Sequence, residues 1–167
     1  IHTQKKQEKL REMMINTVAR LVEMDNSNPV LDSCPICTSV KIEFFVSAYQ
    51  FDISSCMDCG LLFCNPYPTS EQTHAYYNSE MKSFENEFFR DSFEKRINIF
   101  LPRIELIQKY MTSGKLLDVG SAIGIFIEAL HRSKTSFDLA CCDMNKEACI
   151  ELRERYPNLK VLNNDYL

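Results

Sequence analysis

Four cysteines are spaced for metal chemistry. Cys34, Cys37, Cys56 and Cys59 form a C-x2-C-x18-C-x2-C pattern, half of the eight cysteines in the chain. A C-x2-C knuckle sets two thiolates on one tight turn, at the spacing a tetrahedral Zn²⁺ accepts. Two knuckles at this separation make a complete four-cysteine site. The runs between them, Lys41–Val46 and Tyr49–Ile53, are rich in Phe, Val, Tyr and Ile. That composition predicts a zinc ribbon, with each knuckle beside a hairpin, and Gly60 follows the second knuckle where a positive φ is often needed. Four thiolates leave no open position for water or substrate, so the zinc is expected to be structural. The competing use of the cysteines is two disulfides in a secreted chain. Ile1–Leu10 is polar and Lys-rich with no apolar signal core, which argues against it. Cys64, Cys141, Cys142 and Cys149 read as small buried hydrophobes rather than nucleophiles.

A second constellation surrounds the segment Leu116-Leu117-Asp118-Val119-Gly120-Ser121-Ala122-Ile123-Gly124. Only four glycines occur in the chain, and Gly114, Gly120 and Gly124 cluster here. A glycine-bearing turn between a first strand and a helix is where an α/β sheet presents backbone N–H groups to a cofactor. Asp118 lies at the carboxyl end of that strand. Asp143 ends the second strand, placed to accept the ribose hydroxyls of an adenosine ligand. Asp165, beside Asn163 and Asn164, follows the third and can meet an adenine amine. A dinucleotide fingerprint read from Gly120 would use Gly120, Ala122 and Ile125, and the bulky third residue disfavours a diphosphate. Read as D-x-G-x-G-x-G, the positions are Asp118, Gly120, Ala122 and Gly124, with one departure of a single methyl. This is the spacing of S-adenosylmethionine binders, which have no pyrophosphate to cradle.

The elements that must hold these residues follow from periodicity. Leu10, Met13, Met14, Thr17, Val18, Leu21 and Val22 form the apolar stripe of an amphipathic helix over residues 4–24. Packing on its own domain is the expected role of this stripe, ahead of a partner or membrane surface. Asn65-Pro66-Tyr67-Pro68 reads as an extended linker, because each proline biases its predecessor away from α. Thr69 and Gln72 form a capping box for a short helix. From Asn86 to Met111 the pattern is helical, with a kink or restart expected at Pro102. Residues 113–167 then read β-α-β-α-β: Lys115–Val119, Ile125–Arg132, Phe137–Cys142, Asn145–Tyr156 with Asn145 as cap, and Leu159–Leu162. Such alternation predicts a parallel α/β sheet.

Composition sets the outer limits. The 167 residues are 45% apolar and 25% charged, with a net charge of −4. No block of like charge supports nucleic-acid binding. No apolar run approaches the roughly 18 residues of a membrane helix. The expected organisation is an amphipathic helix (1–28), a zinc ribbon (29–66), a helical linker or lid (67–112) and a parallel α/β domain (113–167).

Leu116–Phe126 followed by Cys142-Asp143-Met144-Asn145-Lys146-Glu147-Ala148 resembles a class I S-adenosylmethionine-dependent methyltransferase. Cys34-Pro35-Ile36-Cys37, Cys56-Met57-Asp58-Cys59-Gly60-Leu61-Leu62-Phe63, Asn65-Pro66-Tyr67-Pro68-Thr69 and Tyr76-Tyr77 resemble the subgroup with an N-terminal zinc-binding module. The resemblance spans Cys34 to Leu167. It implies a Rossmann-like core, with Asp118, Gly120, Ala122 and Gly124 near the methionine part of the cofactor, Asp143 at the ribose and Asp165 near the adenine. It further implies a small-molecule, sugar or glycan methyl acceptor and a cytoplasmic enzyme. The family core has seven strands in the order 3-2-1-4-5-7-6, and this sequence supplies the first three. The expectation is therefore an N-terminal part of a longer enzyme, inactive alone and either marginally stable or self-associating through the exposed edge of its first strand. A second function class also fits the residues: a non-catalytic zinc-ribbon interaction module attached to a degenerate α/β half.

Overall fold

A computed structural model describes residues 4–24 and 27–164. It divides into two compact units with their boundary between Ser79 and Glu80, within the stretch read from sequence as a helical linker.

The first unit opens with α1 (Gln4–Met24), which buries Val18 and Leu21 from the expected stripe. An antiparallel sheet follows, with β1 (Ile42–Ala48), β2 (Phe51–Cys56) and β3 (Leu62–Cys64) in the order β1-β2-β3. Helix α2 (Ser70–Tyr77) begins with the capping box foreseen at Thr69 and Gln72. The buried Gln72 also donates to the Leu21 carbonyl at 2.9 Å and accepts from the Asn28 amide at 2.6 Å, tying α2 to α1 and to the following turn. The segment read as an extended linker is anchored. The Asn65 side chain accepts from Leu31 N at 2.8 Å and donates to Leu31 O at 3.1 Å, and the Asn65–Pro66 peptide is cis.

The second unit contains α3 (Glu80–Arg90), α4 (Phe93–Gln108), β4 (Ser113–Val119), α5 (Ile125–Arg132), β5 (Ser136–Cys142), α6 (Lys146–Arg155) and β6 (Lys160–Leu162). The three strands are parallel, in the order β4-β5-β6, as the alternation predicted. The helix does not restart at Pro102. The helical stretch breaks at Asp91–Ser92, and Pro102 lies inside α4. Proline removes the hydrogen bond to the carbonyl four residues earlier. Here both Asn98 and Pro102 are exposed, so water can satisfy that carbonyl.

Helices α4, α5 and α6 cover one face of the sheet. Ile97 and Ile104 of α4 pack with Ile123, Ile125, Ala129, Leu130 and Ala148. Ile127, Cys141, Cys149, Leu152 and Val161 form a second cluster. The buried thiol of Cys141 is pushed up to about 11, chiefly by burial, which suits an inert core residue. On the other face Leu117, Val119 and Leu162 are 43%, 53% and 44% exposed. None of the described helices is long and apolar enough to cross a membrane.

Candidate metal centre and cofactor site

In the first unit, the two C-x2-C turns share one backbone geometry. Cys34 N donates to Ser39 O and Thr38 N to Cys34 O. In the second turn, Cys56 N donates to Leu61 O and Gly60 N to Cys56 O. The fifth residue of each turn is left-handed, with φ of 59° at Thr38 and 75° at Gly60. Gly60 was legible as such. Thr38, a β-branched residue at that position, carried no signal.

The turns bring all four sulfurs within 4.8 Å of one another. Cys34 Sγ lies 3.6 Å from Cys59 Sγ, and Cys37 Sγ lies 3.5 Å from Cys56 Sγ. A tetrahedron of sulfurs with metal–sulfur bonds of about 2.3 Å has edges of about 3.8 Å, so the quartet fits a tetrahedral metal ion. Backbone N–H groups favour the thiolate at one cysteine of each turn. The N–H of Cys59 lowers the Cys56 thiol to about 6, and the N–H of Cys37 lowers that of Cys34, whereas Cys37 and Cys59 are raised, Cys37 to about 12, by hydrogen bonds with neighbouring sulfurs. Asp58 joins the turns by accepting from Ser39 Oγ at 2.7 Å and Lys41 Nζ at 3.1 Å.

In the second unit, residues 120–124 link β4 to α5 at the carboxyl ends of the strands. Gly120 has φ of 75°, and a Cβ built there would meet nothing within 4 Å. Its N–H and that of Ser121 donate to Cys142 O at 2.9 and 3.2 Å, which fastens the loop to the end of β5. Ala122, the one non-glycine of the motif, is also left-handed, at φ 45°. Gly124 has φ of 79°, and a Cβ there would lie 2.3 Å from Leu152 Cδ2. The close approach at Gly124 is therefore to α6.

Asp143 is buried, and its carboxylate bridges two segments. One oxygen accepts from Ala122 N and the other from Asn145 N, each at 2.7 Å. A carboxylate has about four acceptor sites, so two remain for a ligand. Asp118 differs. Its Oδ2 is buried without a hydrogen-bond partner among the described residues, and the group is raised to about 6 by burial and by the charge of Asp143. Asn163 donates to Asp143 O at 3.0 Å and to Met144 O at 3.2 Å, closing the site on the β6 side. Asp118, Gly120, Ala122, Gly124 and Asp143 thus come together on two adjacent strand ends. Asp165 lies outside the described residues.

Sequence reading found the Asn145 cap but missed Asn86 and Arg155, which brace this loop from behind. Asn145 caps α6, accepting from Ala148 N at 2.8 Å, and the same oxygen accepts from Asn86 Nδ2 at 3.0 Å. Arg155 Nη1 donates to Ile123 O at 3.1 Å, while its guanidinium lies over the Phe93 ring. Periodicity carries no signal for side chains that reach across tens of residues.

No protein-family model and no curated protein matches the sequence. Among solved structures, the chain is similar to a candidate S-adenosyl-L-methionine-dependent methyltransferase from Methanococcus maripaludis. The sequences are 17% identical and the TM-score is 0.44, over 53% of this chain. The match spans 42% of the length of that protein.

Proposed function

We propose that this chain is part of an S-adenosylmethionine-dependent methyltransferase, with the cofactor on the 120–124 loop and a structural zinc ion on Cys34, Cys37, Cys56 and Cys59. The observation that carries the reading is the 2.7 Å bond from Ala122 N to Asp143. It joins the glycine-bearing loop and the strand-end carboxylate at the carboxyl end of the sheet. When bound, the cofactor supplies an electrophilic methyl group on a sulfonium. The free acceptor sites of Asp143 take the ribose hydroxyls. Asp118 would supply a carboxylate close to the cationic part of the ligand, whose positive charge would offset the cost of burying it. The open space beside Gly120 admits the ligand against the backbone. Asp165 takes the adenine amine. The chain's role in transfer is orientation and proximity. The acceptor is a small-molecule, sugar or glycan nucleophile, and a zinc-bound quartet of cysteines would suit the cytoplasm, where thiols stay reduced.

Calorimetry with S-adenosylhomocysteine tests this reading. Binding is expected, and Asp143→Ala should weaken it by about 1.5–3 kcal/mol through loss of charge-assisted hydrogen bonds. Absence of binding, or binding of a nicotinamide dinucleotide instead, overturns it. A second reading, a zinc-ribbon interaction module without catalysis, is favoured by β1, where Phe44 and Phe45 are 66% and 59% exposed. A melting temperature indifferent to S-adenosylhomocysteine selects that reading.

A further inference from the structure

We infer that Asn86 of α3 is a positioning residue for the Asp143 carboxylate, acting through Asn145. This rests on the adenosyl-ligand reading of the loop and adds to it a residue outside the motif.

Asn86 and Asn145 are both buried, at 3% and 4% exposure. Asn86 Nδ2 donates to Asn145 Oδ1 at 3.0 Å, and Ala148 N donates to the same oxygen at 2.8 Å. Two donors on one oxygen fix the side chain of Asn145. The backbone N–H of Asn145 then donates to Asp143 Oδ1 at 2.7 Å, while Ala122 N holds Oδ2 at 2.7 Å. The carboxylate is gripped on both oxygens, and one grip leads back to α3. Helix α3 is itself pinned to α6, since Arg90 Nη2 meets Glu147 at 2.7 Å and Arg90 Nε meets Glu151 at 2.9 Å. A buried amide costs free energy unless it is hydrogen-bonded, and an apolar side chain would fill the space between α3 and α6 without that cost. What the amide adds is orientation of the Asn145 turn, and with it the direction of the acceptor sites that Asp143 leaves for ribose. Preorganisation of this kind is supplied by residues behind those that touch the ligand.

The test compares two ligands on the full chain: S-adenosylhomocysteine and its 2′,3′-dideoxy analogue, which lacks the hydroxyls Asp143 would accept. Asn86→Ala should weaken S-adenosylhomocysteine about five- to tenfold, the worth of one neutral hydrogen bond. The dideoxy analogue should bind wild type and variant alike. Asn86→Leu, which fills the space without a donor, gives the same pattern and replaces the alanine variant should that fail to fold. Asn86→Asp sets oxygen against oxygen and should match the loss. Equal loss for both ligands, or no loss for either, overturns the inference while the adenosyl reading stands. A wild-type chain that binds no S-adenosylhomocysteine overturns the adenosyl reading, and this inference falls with it.

Discussion

Replacing Asp118 with asparagine isolates the least comfortable group in the second unit. Its Oδ2 is buried without a partner among the described residues, and burial together with the charge of Asp143 raises it to about 6. An unperturbed Asp titrates near 3.9, and each pH unit of difference between folded and unfolded chains is worth about 1.4 kcal/mol. Ionised Asp118 therefore costs the folded state up to about 3 kcal/mol. The part that comes from Asp143 is reduced by salt. The sign follows from linkage. Because the folded value lies above the unfolded one, the penalty is complete above about pH 6 and vanishes below about pH 4, as the folded chain takes up its proton first. An asparagine amide in its place cannot ionise. In urea denaturation, Asp118→Asn should be more stable than wild type at pH 8, by about 1–3 kcal/mol, and the gap should close as pH falls to about 4. A stability difference independent of pH, or a less stable variant at pH 8, would refute the reasoning. The same variant tests why the group is kept. A carboxylate that costs stability in a crevice is a functional candidate, so Asp118→Asn should weaken S-adenosylmethionine more than S-adenosylhomocysteine, whose sulfur is neutral.

Elemental analysis should find one zinc per chain, and Cys56→Ser should lose both the metal and the amide protection of β1 and β2, because metal binding supplies folding free energy; a metal-free chain with these cysteines oxidised in pairs would contradict it. Gly124→Ala forces a Cβ to 2.3 Å from Leu152 Cδ2 at φ 79° and should cost about 3 kcal/mol in thermal or urea unfolding. The cost should shrink in a Leu152→Ala background, and a double-mutant cycle with no coupling would show that the contact does not matter. The chain should self-associate through the outer edge of β4, whose Leu117 and Val119 are exposed, and Leu117→Lys should reduce that association, since charge blunts an edge strand; sedimentation showing a monomer at all concentrations would count against it.

The elements that depend on neighbours in sequence were legible. The capping box at Thr69 and Gln72 and the cap at Asn145 were written in adjacent residues, and both are present. The β-α-β-α-β alternation pointed to the parallel sheet, and the cysteine spacing to the quartet. What escaped depends on contacts across the fold. The helix break fell at Asp91–Ser92, where Ser92 turns its hydroxyl back to the Phe88 carbonyl at 3.0 Å and accepts from Arg96 Nε at 2.8 Å. The exposed Pro102 was tolerated, because its penalty depends on whether the freed carbonyl meets water, which sequence does not state. The roles of Asn86, Arg155 and Leu152 depend on which surface each helix turns toward the loop, and that is decided by packing.

The one departure from the glycine pattern shows how the loop is held. Ala122 adopts φ 45°, a left-handed conformation that costs a residue with a Cβ about 1–2 kcal/mol. Its N–H meets the Asp143 carboxylate at 2.7 Å, a hydrogen bond to a charged group worth about 1.5–3 kcal/mol. The bond equals or exceeds the strain, so alanine is accommodated where a glycine would otherwise be expected. The two neighbouring residues are held in the same way from the same quarter. Arg155 holds the Ile123 carbonyl, and Leu152 leaves room at Gly124 for hydrogen only. All three constraints on the β4–α5 loop come from the β5–α6 segment. The shape of the loop is therefore a property of two packed β-α units as well as of its own glycines. A substitution in α6 that shifts Leu152 or Arg155 acts on the loop as directly as one within residues 120–124.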